Sequence, residues 1–198
     1  MDLIKSINGH VLEYLDDGHV YLVDGVIVPS VTQVLNVRFG KKYDGVDREV
    51  LKRASDAGIA VHEAIERYCK TGEVTDLKEL RNFQFLQSKY GFEVIENEVP
   101  VILWKAEIPV CAGRLDMVIK MNGEFGGADI KRTSALDKEY LAYQLNIYRL
   151  AYLQSYGIEW KFLRGIHLRE DVRKFVTIPI NEKIAWELIE EYESALSV

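Results

Sequence analysis

The residues best suited to chemistry lie in two strand-like runs, 113–121 and 124–131, separated by Asn122-Gly123. Asn-Gly between such runs is the strongest short-range hairpin signal. With a two-residue loop, Met121 faces Glu124, and Asp116 falls opposite Asp129. Side chains alternate along a strand, so Asp129 and Lys131 share a face while Ile130 points the other way. Directly opposed residues have Cβ atoms about 4.5–5.5 Å apart, and like charges there repel. A divalent cation relieves that repulsion, because hard cations take carboxylate oxygens. Lys131 beside the pair would offset charge, position an attacking water or stabilise a phosphorane-like oxygen. Acidic ligands, a cation and a lysine together make a phosphodiester hydrolysis site. The plainer alternative is an exposed hairpin with an Asp129–Lys131 salt bridge that contributes little. A bulge at Gly126-Gly127 would shift the register by one residue.

Two helices flank this hairpin. Val46, Val50, Ala54, Ala57, Val61, Ile65 and Tyr68 recur by threes and fours and predict a helix from Val46 to about Lys70. Gly58, His62, Glu66 and Cys69 form a stripe beside that apolar face. His62 there is either a metal ligand, with Gly58 leaving room for close approach, or a partly buried histidine bonded to backbone or a carboxylate. Glu66 either orients His62 or is a solvated charge. After the hairpin, a helix over about 137–156 is apolar on nearly every side and places Gln144 and Tyr148 on one face. A buried amide needs partners, which are backbone near the site, a substrate phosphate or a structural hydrogen bond. Arg114 and Arg132 flank the patch and suit phosphates, as Arg does in general; each is otherwise a surface charge.

The rest of the chain must position these groups. Residues 10–28 read as short strands turned by Asp-Asp-Gly and Asp-Gly. Ser30 caps a short helix, 38–45 is a loop, and a second helix covers 76–89. Strands follow at 92–104, 160–168 and 173–180, and Asn181 opens a last helix to about 196. This order predicts an α/β (α+β) fold: a mixed central sheet flanked by helices, with an N-terminal β-hairpin. One domain spans 1–198, divided into a hairpin and short helix (1–37), a core (46–180) and a C-terminal helix (181–198).

Composition narrows the classes. Of 198 residues, 25 are Lys or Arg and 31 Asp or Glu, a formal charge of −6. That balance argues against a general electrostatic coat for nucleic acid but leaves room for a substrate held in one local groove; with a metal site at Asp116 and Asp129, the expectation is a narrow basic, metal-filled groove near Lys131 on an acidic body. No apolar run reaches the roughly 18 residues of a membrane span, and residues 1–17 carry no apolar leader core. Two cysteines make neither a disulfide framework nor the four thiolates of an iron–sulfur cluster. These features predict an intracellular, cytoplasmic protein. Four histidines argue against a small-molecule metalloenzyme built on a dense His/Cys cluster.

Four segments occur in a telling order: Gly58-Ile59-Ala60-Val61-His62, Gly113-Arg114-Leu115-Asp116, Asp129-Ile130-Lys131 and Gln144-Leu145-Asn146-Ile147-Tyr148. Together they resemble the PD-(D/E)XK nuclease superfamily, and within it the RecB-type exonucleases. Pro29-Ser30-Val31-Thr32-Gln33-Val34-Leu35 resembles an entry motif of phage-type and mitochondrial genome maintenance exonucleases. The resemblance implies a restriction-endonuclease-like core. It implies Mg²⁺ or Mn²⁺ held by Asp116, Asp129, His62 and the Ile130 carbonyl; imidazole favours Mn²⁺ as a competitor. Lys131, Gln144 and Tyr148 would serve catalysis. Ser30, Thr32, Arg114, Arg132, Thr133, Gln144 and Tyr148 would contact substrate. The implied partner is DNA, single-stranded or at duplex ends, with a single-strand annealing protein by analogy with phage recombination pairs and a phage-encoded origin in a bacterial host. Asp129 stands where Glu is commoner in the wider superfamily. Glu98, in Glu98-Val99-Pro100-Val101, is read as structural or as supporting the ligands. The alternatives are a structure-specific or restriction-type endonuclease and a non-catalytic DNA-binding module on the same fold.

Overall fold

A computed structural model describes residues 3–196. Residues 1, 2, 197 and 198, which the predicted 1–198 domain and 181–198 helix include, lie outside the described residues. Four short strands come first: β1 (Leu3–Ile7), β2 (His10–Leu15), β3 (Val20–Val23) and β4 (Val26–Val28). They form an antiparallel meander in chain order, so the predicted N-terminal hairpin is a four-stranded sheet. Asp24-Gly25, both at positive φ, make the tight β3–β4 turn.

Ser30 then opens α1 (Val31–Phe39). Its hydroxyl accepts from Gln33 N, and Ser30 N donates to Gln33 Oε1, a reciprocal cap. The predicted loop over 38–45 is shorter: α1 runs to Phe39, and a 3-10 turn covers Gly40–Tyr43. Asp47 caps α2 (Arg48–Thr71) by accepting from Glu49 N and Val50 N, so this helix starts two residues after Val46. Gly72, at positive φ, ends it. Helix α3 is Lys78–Tyr90.

The second sheet holds β5 (Glu93–Lys105), β6 (Ile108–Met121), β7 (Glu124–Lys131), β8 (Phe162–Leu168) and β9 (Arg173–Ile178), hydrogen-bonded in that order. All neighbours are antiparallel except β7 and β8. Helix α4 (Lys138–Tyr156) crosses between those two, as a parallel pair requires. The fold is thus mixed α/β. One apolar cluster joins α1, α4 and α5 (Glu182–Leu196) to the sheet; another joins α2 and α3 to it through Met117, Ile119, Ile130 and Ile166. A third packs the N-terminal sheet on Ile102 and Ala112, and Ala112 N donates to Pro29 O at 3.0 Å.

The central hairpin keeps the expected register from Met121↔Glu124 to Met117↔Ala128 without a bulge. Gly126 and Gly127 have another purpose: a Cβ on either would overlap the Phe162 or the Trp160 ring. Among the described residues, no helix is long and apolar enough to cross a membrane.

Candidate metal centre

Continuing the β6–β7 register places Asp116 opposite Asp129. On the other side of β6, Asn97 pairs with Met117 and Val99 with Leu115, so Glu98 lies opposite Asp116. Three carboxylates therefore form one row across three adjacent strands. The row is held by specific contacts. Asp116 Oδ2 accepts from Ile130 N at 2.7 Å. Glu98 Oε2 pairs with Arg114 Nε at 2.6 Å. Asp129 Oδ2 lies 2.6 Å from Lys131 Nζ. Glu98 adopts φ +53° in mid-strand, a conformation that costs a non-glycine residue energy and that clusters at functional positions.

Helix α2 brings His62 to this row. Its Nδ1 is 3.6 Å from Asp116 Oδ1 and 4.0 Å from Glu98 Oε1, and its Nε2 is 3.2 Å from Ile130 O. One ligand atom each from His62, Glu98 and Asp116 lies within 4.8 Å of the others. Backbone and carboxylate contacts of this kind also suit a structural histidine. The acidic row distinguishes the site. Asp129 is buried, and its Oδ1 has no hydrogen-bond partner among the described residues. An orphaned buried carboxylate oxygen is costly, and a hard cation takes such an oxygen. The converging donor set of His62, Glu98 and Asp116, two carboxylates and one imidazole, fits Mg²⁺ or Mn²⁺; Asp129 faces Asp116 across the hairpin but lies outside that converging group.

Electrostatics follow from that packing. Burial, then the neighbouring Asp116, pushes the Asp129 carboxyl up to about 6 from 3.8. Asp116 raises His62 to about 9, with Glu98 and Asp129 adding and burial opposing. Burial alone would depress Lys131, but Asp129 and Asp116 more than offset it, so the ammonium keeps its proton above the usual range. Asp129 is buried and Lys131 half-buried, so the pair is not the exposed bridge of the plainer alternative.

The site opens on a cleft of about 1000 Å³. Ser30, Thr32, Gly58, His62, Glu98, Arg114, Asp116 and Tyr148 are among its lining residues. Tyr148 is buried and donates to Arg114 O at 3.1 Å. Its ring covers Gly113, where a Cβ would come within 2.9 Å of Cε1. Gln144, one turn earlier, is buried, and its Oε1 has no partner among the described residues. Lys131, Thr32 and Thr133 line a second cavity. Arg132 is not brought to the cleft: it pairs with buried Glu79 at 2.8 Å and lines a separate hollow with Lys78 and Arg169. Glu66 does not orient His62; it pairs with Lys70.

The main cleft is not basic, and Lys131, beside which a basic groove was expected, lines the second cavity with Lys42 and Asp137. Asp16, Glu63, Glu66, Glu98 and Asp116 line the cleft, against Arg114, which is paired with Glu98, and His19 and His62. Glu98 also proves closer to the chemistry than its sequence context suggests. Its position opposite Asp116 is the signal, and that position depends on the β5–β6 register.

No protein-family model matches this chain, and no curated protein does. Among the solved structures that match is one described as the crystal structure of SSO0001, with a TM-score of 0.48 and 17% identity over 86% of this chain and 75% of that one.

Proposed function

We propose that the chain is a metal-dependent nuclease acting on DNA, an exonuclease of the RecB-type PD-(D/E)XK kind that hydrolyses phosphodiester bonds from strand ends in recombination, repair or replication. The observation that carries this reading is the row Glu98–Asp116–Asp129 capped by His62, with Lys131 against Asp129. Asp116, Asp129, Glu98, His62 and the Ile130 carbonyl would hold Mg²⁺ or Mn²⁺. The cation supplies Lewis-acid polarisation of the phosphate and acidifies the attacking water. The chain's own groups do the rest. Lys131, beside its two carboxylates, would act as a positive charge that orients water and offsets charge on the phosphoryl oxygens. Asp116 fixes the hairpin by accepting from Ile130 N. Tyr148 pins the Arg114 carbonyl, which keeps the Arg114 side of the cleft in place. Gln144 Oε1 is an acceptor left over within the fold. A cytoplasmic site of action belongs to this proposal and is supported by two free cysteines.

The test is cleavage of end-labelled single- and double-stranded DNA with Mg²⁺, Mn²⁺ or EDTA, beside circular DNA. Metal-dependent loss of linear label with circles intact is expected. Absence of cleavage under both metals, or full activity in Asp129→Ala, refutes the reading; cut circles favour an endonuclease.

A further inference from the structure

We propose that the cavity beside Lys131 binds the terminal nucleotide of the DNA strand, so that each hydrolysis releases a single nucleotide. This rests on the nuclease reading of the adjoining carboxylate row. The cavity has a volume of about 300 Å³, against about 1000 Å³ for the main cleft. Thr32 borders both spaces. Lys131 lines the smaller one while its Nζ contacts Asp129, so the smaller space adjoins the carboxylate row where, on the nuclease reading, the phosphate under attack would sit. A strand lying in the large cleft with its end past Lys131 has room for one nucleoside beyond the phosphate under attack.

The walls suit a base and sugar. Phe39 and Tyr140 stand edge to face, with centroids 5.4 Å apart, and aromatic rings accept any base by stacking. Lys131 Nζ lies 5.7 Å from the centre of the Tyr140 ring, which fixes that ring beside the phosphate position. Asn36 adds an amide at the exposed rim, and the Thr133 hydroxyl, donating to Ala135 O, keeps lone pairs for a donor on the ligand. Lys42 is already paired with Asp137 at 2.5 Å. The cavity is therefore not built around a free cation, which favours a nucleoside over a bare phosphate ion. In the hydrolysis, the water oxygen bonds to phosphorus, the bond from phosphorus to the strand oxygen breaks, and that oxygen takes the proton the water gives up.

The test uses thymidine, thymidine 5′-monophosphate and inorganic phosphate titrated by calorimetry into the full chain, Asn36→Trp and Tyr140→Leu. Asn36→Trp fills the cavity from an exposed helix position; Tyr140→Leu removes one aromatic wall. The expected result is binding of thymidine and its monophosphate to the wild type, at least tenfold weaker in both variants, with phosphate a poor competitor. Equal binding in all three proteins, no binding to the wild type, or phosphate competing as well as the nucleotide overturns the proposal. Melting curves establish that the variants fold, and either one suffices. A cleavage arm separates the two readings. If linear DNA is cut and Asn36→Trp releases mononucleotides as fast as wild type, the cavity assignment falls and the nuclease reading stands. If no protein cuts DNA yet nucleotide binding behaves as expected, the nuclease reading falls and the nucleotide site stands.

Discussion

Replacing Asp129 by Asn removes the charge that is hardest to keep in this fold. The carboxylate is buried, faces Asp116 across the hairpin, and its pKa is pushed up to about 6 from 3.8. The sign follows from linkage. The folded chain holds this proton more tightly than the unfolded chain, so stability falls as pH rises from 3.8 through 6 and the full cost is present above pH 6. A shift of about two units corresponds to about 3 kcal/mol at about 1.4 kcal/mol per unit. Asn recovers only part, because Lys131 then keeps Asp116 alone as a nearby anion. A net gain of about 1–2 kcal/mol is expected, or about 2–8 °C in Tm for a chain of this size. The assay is thermal unfolding in EDTA at pH 8 and at pH 4.5, and again with Mn²⁺ at pH 8. Asp129→Asn should melt higher than wild type in EDTA at pH 8, lose most of that advantage at pH 4.5, and show little of the Mn²⁺-induced rise that wild type shows. A variant that melts lower than wild type at pH 8 in EDTA, or that keeps the full metal-induced rise, would show that the carboxylate row is not poised for a cation.

Other perturbations probe the supporting structure. Gly127→Ala forces a Cβ into the Trp160 ring and should cost about 1–3 kcal/mol or more in urea unfolding. Glu98→Gln keeps the size of the side chain but removes one carboxylate, and should weaken Mn²⁺ affinity about 10–100-fold by calorimetry, with the fold retained. Burial pushes the Cys111 thiol up to about 12 and the Cys69 thiol up to about 11. Both should react with a thiol reagent at pH 8 at least about tenfold faster in denaturant than in the folded protein. These raised values also mean that the unfolded chain loses the thiol protons first, so stability should fall as pH rises above 9.

The hairpin was legible because one dipeptide, Asn122-Gly123, sets its whole register. Near the N-terminus strands are expected only over 10–28, so β1 at Leu3–Ile7 goes unread although Asn8-Gly9 carries the same signal. Caps were equally readable, since Ser30 and Asn181 act through local bonds. Glu98 was harder. The β5–β6 turn pairs Lys105 with Ile108, and that register continued unbroken would set Glu98 against Leu115. A shift between Leu103 and Trp104 moves it opposite Asp116. Such a shift depends on long-range packing and has no dipeptide signal of its own. The Gly126-Gly127 pair misleads in the same way: it reads as a bulge, but Phe162 and Trp160, some 35 residues later, occupy the space a Cβ would need. Arg132 flanks the patch in sequence, yet it lies one residue past the end of β7, where the chain leaves the sheet, and pairs with Glu79.

The charge of −6 takes on a different meaning in three dimensions. The acidic excess is not confined to surfaces remote from the site, because Asp16, Glu63, Glu66, Glu98 and Asp116 line the cleft itself. A polyanion entering it meets carboxylates, and Arg114 is held by Glu98. Few free lysines or arginines in the cleft means few counterions released on binding, hence a shallow dependence of affinity on monovalent salt. On the nuclease reading, DNA affinity in EDTA should then be weak and should rise with Mn²⁺ more than it falls with added NaCl. Binding and hydrolysis would share one requirement, the divalent cation at the carboxylate row. Fluorescence anisotropy of labelled single-stranded DNA on wild type at 4 °C measures this directly, with Asp129→Asn, which should lose the Mn²⁺ response, as the control. Strong binding in EDTA with a steep salt slope would place the DNA on another face, such as the hollow lined by Lys78, Arg132 and Arg169, and would remove the cleft from the argument.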